Sequence, residues 1–324
     1  MSIKSLSQPS FADAIICRNG KGTQWLEEMT RLISWSSLAA LFKGFYTSTE
    51  GAPAYPPLVM VKILLLQQWY CLSDEAIEAA LDDRLSFRRF CGLPLDTAVP
   101  DHSTLWRFRQ RLEKAGLGKK LFEEVNRQIE ARGMVLKRGT LIDASIIPAA
   151  VNGPRGKTGE LSDHDPQAGW TKKNGETTYG YKVHAAVDEE SGIVRRAEVT
   201  SADLHDINMG PALVMGDEQA VYADKGYDSK AFRAHIEAGG AKACVMERAK
   251  PKKKPPSWLK WLNHCWGQVR SGVERSFATM KQRYGLWRMR TIGLARNGLH
   301  VHLIATAMNL KKMMVLQRRQ GESA

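Results

Sequence analysis

The sequence predicts an α/β protein in which an all-helical N-terminal domain, residues 1–135, precedes a mixed α/β domain, residues 136–324. A chain of 324 residues is long enough for two domains that each bury a core. Before residue 135 the apolar side chains recur at helical spacing, whereas from Lys137 short runs rich in β-branched residues take over. This change of period predicts the boundary between the two domains.

Four amphipathic runs in the N-terminal domain predict helices over residues 24–42, 57–70, 73–81 and 103–115. Ser73 and Ser103 are the expected N-caps, and Gly116 is expected to end the last run. This last helix carries a basic face of Arg107, Arg111 and Lys114. It is similar to the recognition helix of a helix-turn-helix domain, which favours DNA binding over the alternative of a bundle helix with a solvated basic face.

The second domain contains five strand-like runs, at residues 140–147, 180–188, 193–200, 220–224 and 243–246. A hairpin turn is expected at residues 188–192, and helices are expected after Asp206 and over residues 229–238. The resulting order, β-β-β-α-β-α-β-α, is that of an RNase H-like fold, a mixed sheet flanked by helices. Asp143 lies on the first strand and Asp224 ends the fourth. These strands are neighbours in that fold, so the sequence predicts that the two aspartates are adjacent.

A third acid comes from a helix predicted near the C-terminus, in the run RSGVERSFATMK. At 100° per residue, Arg270, Glu274 and Lys281 leave this helix along one stripe. The neighbouring stripe is apolar and is expected to dock the helix on the core; it consists of Val273, Phe277, Met280 and Tyr284. The alternatives are that Arg270 and Glu274 form an ordinary i, i+4 surface pair and that Asp224 only forms a turn.

Three carboxylates placed together repel one another, so the sequence predicts that Asp143, Asp224 and Glu274 are both the catalytic residues and the ligands of bound metal. Mg²⁺ is the expected metal because it prefers carboxylate and water oxygens, and Mn²⁺ is an expected substitute. Two such ions would support phosphoryl transfer.

Positive charge is concentrated around the third acid. The chain has a net charge of +13 and a pI near 9.5, and residues 248–296 contain thirteen lysines and arginines but only one acid, Glu274. This distribution favours a polyanion as partner. Lys252, Lys253 and Lys254, with Trp258 and Trp261 nearby, suit a phosphate backbone and exposed bases, the alternative being a flexible basic linker.

Other features narrow the class of protein. The five cysteines show no zinc-binding spacing and indicate reduced thiols. We see no signal-peptide pattern, and the longest apolar run, LVMVKILLL, is too short to span a bilayer, so we expect a cytoplasmic protein without a membrane partner.

Residues 152–179 are polar and glycine-rich and are predicted to form a mobile loop, in which Asp163, His164 and Asp165 are expected to be solvated rather than metal-bound.

The motifs together resemble those of a bacterial DDE-type insertion-sequence transposase of the IS-five-like group. The resemblance rests on the segments DASII, YGYKVHAAVDEESGIV, TSADLHD, ADKGYDS and RSGVERSFATMKQRYG. It implies that Asp143, Asp224 and Glu274 bind two divalent ions and that Arg270 and Lys281 support the site and contact DNA. It also implies a homodimer on paired DNA ends. Where the wider group has a tyrosine three residues before the arginine, this chain has Gly267.

The predicted function is therefore that of a nucleoid-associated transposase, which binds terminal inverted repeats in double-stranded DNA, cleaves there, and joins the 3′-OH ends to target DNA. Two alternatives remain open: a nuclease of the same fold that cuts without joining, and a catalytically silent DNA-binding protein derived from a transposase. A tyrosine recombinase is disfavoured because Tyr284 lies on the apolar stripe.

Overall fold

The computed structural model describes residues 3–4, 22–46, 52–154, 160–173, 175–248, 254 and 256–322. By their contacts, Met1–Ala131 and Thr306–Ala324 form one unit, called here the helical unit, and Arg132–Ala305 form a second, the sheet unit. The sequence places residues 306–324 in the second domain, whereas their contacts group them with the N-terminal helices.

The helical unit contains α1 (Gln24–Leu32), α2 (Trp35–Ala40), α3 (Pro57–Tyr70), α4 (Asp74–Asp83), α5 (Leu85–Cys91), α6 (His102–Lys114) and α7 (Leu117–Glu130). The single helix predicted over residues 24–42 is in fact two helices. Ile33 is extended, and the side chain of Ser34 accepts a hydrogen bond from the Ser37 N–H, so α2 has its own N-cap. Neither α5 nor α7 was predicted from the sequence.

The predicted N-cap of α4 is confirmed and that of α6 is wrong. The Ser73 hydroxyl accepts the Ala76 N–H at 3.1 Å. At α6 the cap is Asp101, whose Oδ1 accepts the Thr104 N–H at 2.6 Å and the Ser103 hydroxyl at 3.0 Å. A carboxylate makes the stronger, charge-assisted cap, and it draws the serine hydroxyl to itself.

The most apolar element of the helical unit is α3, and ten of its fourteen residues are buried. Its Trp69 donates a hydrogen bond to the Ala307 carbonyl at 2.9 Å. Asn309 likewise donates to Asn126 of α7 at 2.7 Å. These bonds tie residues beyond 305 to the N-terminal helices. A helix long and apolar enough to cross a bilayer is absent from the residues described.

The sheet unit is built on β1 (Thr140–Pro148), β2 (Gly169–Lys173), β3 (Glu176–Asp188), β4 (Val194–Ser201), β5 (Ala220–Ala223) and β6 (Lys242–Val245). The sheet order is β2-β3-β1-β5-β6, with β4 also paired to β3. β1 runs antiparallel to β3 and parallel to β5, and β5 runs parallel to β6. This is the predicted mixed sheet of an RNase H-like domain, and the predicted neighbourhood of the strands that carry Asp143 and Asp224 is confirmed.

Helices on both faces of the sheet are α8 (Gly210–Leu213), α9 (Lys230–Ala238) and α10 (Ser257–Tyr284). The last helix, α11 (Leu294–Glu322), places His302 Nε2 2.9 Å from the Ala197 carbonyl of β4. One face packs Ile142, Val221 and Val245 against Phe232 and Ile236 of α9. The other face receives α10, whose predicted apolar stripe of Val273, Phe277, Met280 and Tyr284 is buried. α10 lies so close to β1 that a Cβ atom on Gly272 would be 2.7 Å from Leu141 Cδ1.

The segment 152–179 is not one loop. Residues 169–173 form β2 and residues 176–179 begin β3, while residues 155–159 and 174 lie outside the described residues. Asp165, expected to be solvated, is fully buried. The Tyr181 hydroxyl donates to its Oδ1 at 2.5 Å and the Gly293 N–H donates to the same atom at 3.3 Å. These donors compensate the burial of a polar group, which the polar composition of the segment did not indicate.

The hairpin turn predicted at residues 188–192 is confirmed. The Gly192 N–H donates to the Asp188 carbonyl at 2.8 Å, and Gly192 has a φ of 63°, which favours glycine. The Asp188 carboxylate accepts bonds from the N–H and the hydroxyl of Ser191 at 3.0 and 2.6 Å. These bonds fix the connection between β3 and β4.

Candidate active site

Asp143 and Asp224 are brought together by the pairing of two parallel strands. Ile142 of β1 is opposite Ala223 of β5, so the next residues along the two strands are Asp143 and Asp224. Asp143 also pairs in register with Ala185 of the antiparallel strand β3. Side chains at the carboxyl end of a parallel strand lie at the sheet edge where α/β proteins place their sites.

Asp224 forms a turn as well as lying at this edge. Its Oδ1 accepts the N–H of Lys225 at 2.7 Å, and its carbonyl accepts the N–H of Tyr227 at 2.9 Å. Residues Lys225–Tyr227 form one turn of 3-10 helix directly after β5. The turn-forming role proposed as an alternative is therefore present, and it holds the carboxylate beside Asp143.

Arg270 joins two of the three acids. One guanidinium nitrogen donates to Asp143 Oδ2 at 2.6 Å, and the other donates to Glu274 Oε1 at 2.7 Å. The Arg270 side chain is 15% exposed, that of Asp143 20%, and that of Glu274 57%. Arg270 and Glu274 are therefore more than a surface pair within α10, because the same guanidinium reaches an acid on the central strand.

The electrostatics of the site follow from this arrangement. Burial raises the pKa of Asp143; the positive charge of Arg270 opposes the shift, and the negative charge of Asp224 adds to it. Burial would lower the pKa of Arg270, but the charges of Asp143, Asp224 and Glu274 together raise it. The negative charges of all three acids thus act on the Arg270 guanidinium, as expected for side chains that lie close together.

Two lysines add positive charge to the site. Burial lowers the pKa of Lys281, and the neighbouring charge of Lys173 lowers it further. The charge of Lys173 on β2 also acts to lower the pKa of Asp143, so it influences both Lys281 and Asp143. Lys173 was not among the predicted site residues because residues 152–179 were expected to form a loop. The available signal for a hairpin was the Asn-Gly dipeptide at residues 174–175, which is common in two-residue turns.

The residues fit a divalent metal by their chemistry, although their side chains are not arranged as ligands. All three acids offer the oxygen atoms that Mg²⁺ and Mn²⁺ prefer. Among the described residues, no three histidine, cysteine or acidic side chains are arranged to hold one ion. The guanidinium of Arg270 lies between Asp143 and Glu274 and donates to one oxygen of each carboxylate.

Comparison with protein families shows the family to which this chain belongs. Residues 136–310 match a model described as "Transposase DDE domain", which covers more than half of the chain and includes Asp143, Asp224 and Glu274. Residues 17–111 match a model described as "Transposase domain (DUF772)". The chain belongs to the DDE transposase family. It is thus an enzyme of the metal-dependent polynucleotidyl-transfer class, while the narrower IS-five-like assignment stays a prediction.

Among solved structures, this transposase is similar to the piggyBac transposase in a synaptic complex with hairpin DNA. The match has a TM-score of 0.46 and 11% sequence identity, and it covers 95% of this chain and 77% of that chain. The family assignment depends on the matched family models alone.

The predicted DNA-binding residues of α6 differ in their exposure to solvent in this transposase. Arg107 and Lys114 are exposed, whereas Arg111 is half-buried and lies over the ring of Tyr46, 5.5 Å from its centroid. Trp106, which was not among the predicted DNA-binding residues, is 51% exposed next to Arg107. Of the predicted DNA contacts on α6, Arg107 and Lys114 are therefore open to solvent, and DNA contact by any of the three stays a prediction.

Of the predicted basic residues before α10, Lys254 is exposed, whereas Lys252 and Lys253 lie outside the described residues. In the first turns of α10, Trp258 and Trp261 are 60% and 67% exposed. Large aromatic side chains exposed on a helix are available to a partner.

Proposed function

We propose that this transposase binds the terminal inverted repeats of its element, cleaves the DNA there with Mg²⁺, and joins the resulting 3′-OH ends to target DNA. The observation that carries the proposal is the convergence of Asp143, Asp224 and Glu274 on Arg270, in a domain that matches the DDE transposase family. Residues 1–135 are assigned to repeat recognition and residues 136–324 to catalysis.

Asp143, Asp224 and Glu274 would hold two Mg²⁺ ions, for which Mn²⁺ can substitute. When bound, such ions activate an attacking oxygen and stabilise the leaving oxygen of an in-line displacement. The chain itself positions the acids: the strand pairing sets the spacing of Asp143 and Asp224, and the docked face of α10 presents Glu274. Arg270 compensates their negative charge before metal and DNA are bound.

The positive charges of Lys281 and Lys173 attract a phosphate of the DNA substrate. Two ammonium groups close enough to lower the pKa of one of them form a site that favours an anion. A DNA phosphate between them would relieve their repulsion and would be held beside Asp143. Lys252, Lys253 and Lys254 are assigned to the phosphate backbone further along the DNA, and the exposed rings of Trp258 and Trp261 to unpaired bases.

The direct test is a cleavage and joining assay with end-labelled DNA that carries the flanking ends of the element. We expect nicked or broken ends and, with added target plasmid, joined products in Mg²⁺ or Mn²⁺. Ca²⁺ should permit binding without chemistry, since it accepts a looser coordination than Mg²⁺. Cleavage without joining would instead identify a nuclease, and binding without cleavage a silent DNA-binding protein.

The working form is proposed to be a homodimer, because two element ends must be held together for both to be joined to one target. Light scattering of the protein with short end-containing duplexes should give two chains and two duplexes per complex. A complex of one chain and one duplex that still joins both ends would contradict this.

For end recognition by α6, we expect Arg107→Ala with Lys114→Ala to weaken binding to the repeats, with the salt dependence of log K reduced by up to about 0.9 for each phosphate that the variant no longer binds. Both side chains are exposed, so the melting temperature should not change. The matched control is Lys119→Ala with Lys120→Ala, two exposed lysines of α7. Full-length protein is required, since residues 306–324 group with these helices. Equal weakening in both pairs of variants would show only a general effect of charge.

A further inference from the structure

An open groove, which none of the steps above uses, runs along α10 in the sheet unit. Its volume is about 650 Å³, within the range of sites that bind small molecules. Met246, the residue after β6, forms one wall, and α10 forms the other between Lys260 and Ser271. Ser271 follows Arg270 in the chain, so the groove ends where the site of the three acids begins.

The groove is continuous with the catalytic edge on both of its walls. On the sheet, β5 and β6 are parallel and paired up to their last residues, so the next residues along them are Asp224 and Met246. On α10, Gly267 and Glu274 are seven residues apart, which is about 20° around the helix axis and about 10 Å along it. A group bound in the groove would therefore lie beside whatever is held by the acids.

Gly267 keeps this groove open. It lies in the interior of α10, where glycine is less favourable than alanine. A Cβ atom at Gly267 would meet Met246 Cε at 3.7 Å, an ordinary van der Waals contact, whereas one at Gly272 would be 2.7 Å from Leu141 Cδ1. Close packing thus accounts for Gly272 and not for Gly267. A side chain longer than a methyl group at position 267 would, however, extend into the groove.

Asn263 fixes the width of the groove. Its Oδ1 accepts the N–H of Glu247 at 3.0 Å, and its Nδ2 donates to the carbonyl of the same residue at 3.1 Å. Both ends of the amide therefore hold the chain after β6 against α10. The two walls are in place before any ligand binds.

The groove lining matches the chemistry of a nucleotide. His264 and Gln268 are exposed and can hydrogen-bond to the edge of a base. The thioether of Met246 and the backbone of Gly267 offer an apolar surface to the plane of a ring. Lys260 adds a positive charge, and none of the lining residues in the described part of the chain is acidic, which favours a phosphate-linked group.

We propose that this groove binds one unpaired nucleotide of the element end, next to the phosphodiester that is cut. Gly267 leaves the space for its base, and Gln268 contacts the base edge. The proposal rests on the function proposed above, because it requires DNA at the three acids. A base inside a duplex is paired and stacked, so it enters the groove only after it leaves the duplex. Its binding then holds the adjacent phosphate at Asp143 and Asp224.

The competing explanation is that the groove receives a segment from a second copy of the chain. Continuity with the catalytic edge and the uncompensated charge of Lys260 favour the nucleotide. The two explanations differ in their response to removal of a base from the DNA. Only a nucleotide site couples the size of residue 267 to the presence of one particular base.

The experiment combines a filled groove with a missing base, in the full chain with end-labelled DNA and Mg²⁺. An abasic nucleotide replaces, one at a time, each nucleotide beside the cut. We expect Gly267→Leu on intact DNA, and wild type on one of the abasic DNAs, each to cut about tenfold more slowly, as for loss of a base-stacking contact. On that abasic DNA, Gly267→Leu should be no slower than wild type, because the base that leucine displaces is already absent.

Folding of the variants is checked by thermal melting. Gly267→Leu should melt at or above the wild-type temperature, since leucine favours a helix more than glycine does. Gln268→Ala, at an exposed position, should show the same dependence on the abasic nucleotide without filling the groove. The control is Gly298→Leu, at a glycine of α11 where an added Cβ atom also meets open space. It should cut intact and abasic DNA like wild type.

Photocrosslinking in Ca²⁺ gives a measurement that does not need cleavage. Thiothymidine at the responsive nucleotide should attach the DNA to residues 260–271 in wild type, and this crosslink should be lost in Gly267→Leu. Cleavage of intact DNA by Gly267→Leu at the wild-type rate, or losses that multiply when the base is also removed, would overturn the proposal. Loss of the dimer in Gly267→Leu with an unchanged crosslink would overturn it in favour of a second copy. A wild-type crosslink without any cleavage would overturn the proposed function and support the groove.

Discussion

Glu274→Gln is expected to lower DNA cleavage and joining by roughly 10²- to 10³-fold or more, as for other groups that stabilise developing charge directly. Asp143→Asn and Asp224→Asn should have the same effect. Each change removes a negative charge from the proposed metal ligands but almost no volume. Binding to the DNA ends should be retained, because the residues assigned to end recognition lie elsewhere in the chain.

The expected stability of the three variants distinguishes a loss of catalysis from a loss of folding. The Glu274 side chain is 57% exposed, so loss of its pair with Arg270 should change the free energy of unfolding by less than about 1 kcal/mol. Asp143→Asn should melt at a slightly lower temperature, since this acid is the more buried partner of Arg270. Labelled DNA ends on denaturing gels measure the activity, with Glu237→Gln, an exposed acid of α9, as the control. Full cleavage by any of the three variants would remove that residue from the site.

Phe277→Ala is expected to destabilise the sheet unit by about 3 to 5 kcal/mol, the usual cost of truncating a buried aromatic side chain. Phe277 is 6% exposed and lies on the face of α10 that packs on the sheet, between Val273 and Met280, which are fully buried. Such a loss is a large part of the stability of a typical domain. Equilibrium unfolding in urea, followed by circular dichroism, measures it.

The matched control for Phe277→Ala is Arg275→Ala, an exposed position two residues earlier on the same helix. It should unfold at nearly the wild-type urea concentration. Phe277→Ala should lose cleavage in proportion to the fraction unfolded, because α10 carries Arg270 and Glu274. Unfolding of Phe277→Ala at the wild-type midpoint would show that α10 docks through a different face.

Much of the site could be predicted because its residues lie on regular elements. The 3.6-residue period places Glu274 beside the buried stripe of α10, and the strand-like runs place Asp143 within β1 and Asp224 directly after β5. The N-cap of α6 was predicted wrongly although it depends on neighbouring residues only. Both Asp101 and Ser103 are residue types that cap helices, and it is Asp101 whose carboxylate accepts the bonds of the first turn. Burial of Asp165 was missed because its partners, Tyr181 and Gly293, are distant in sequence.

The sequence by itself predicted the two classes of secondary structure, five of the six strands in their order along the chain, and the three candidate acids, since these depend on periodicity and on residue type within short segments. Only the tertiary structure decided that Arg270 reaches across to Asp143, and that the charge of Lys173, on a strand that the sequence did not predict, acts on Lys281. It also decided that residues 306–324 group with the N-terminal helices. Each of these depends on contacts between residues far apart in the chain, where the packing of whole elements, and not local preference, sets which side chains meet.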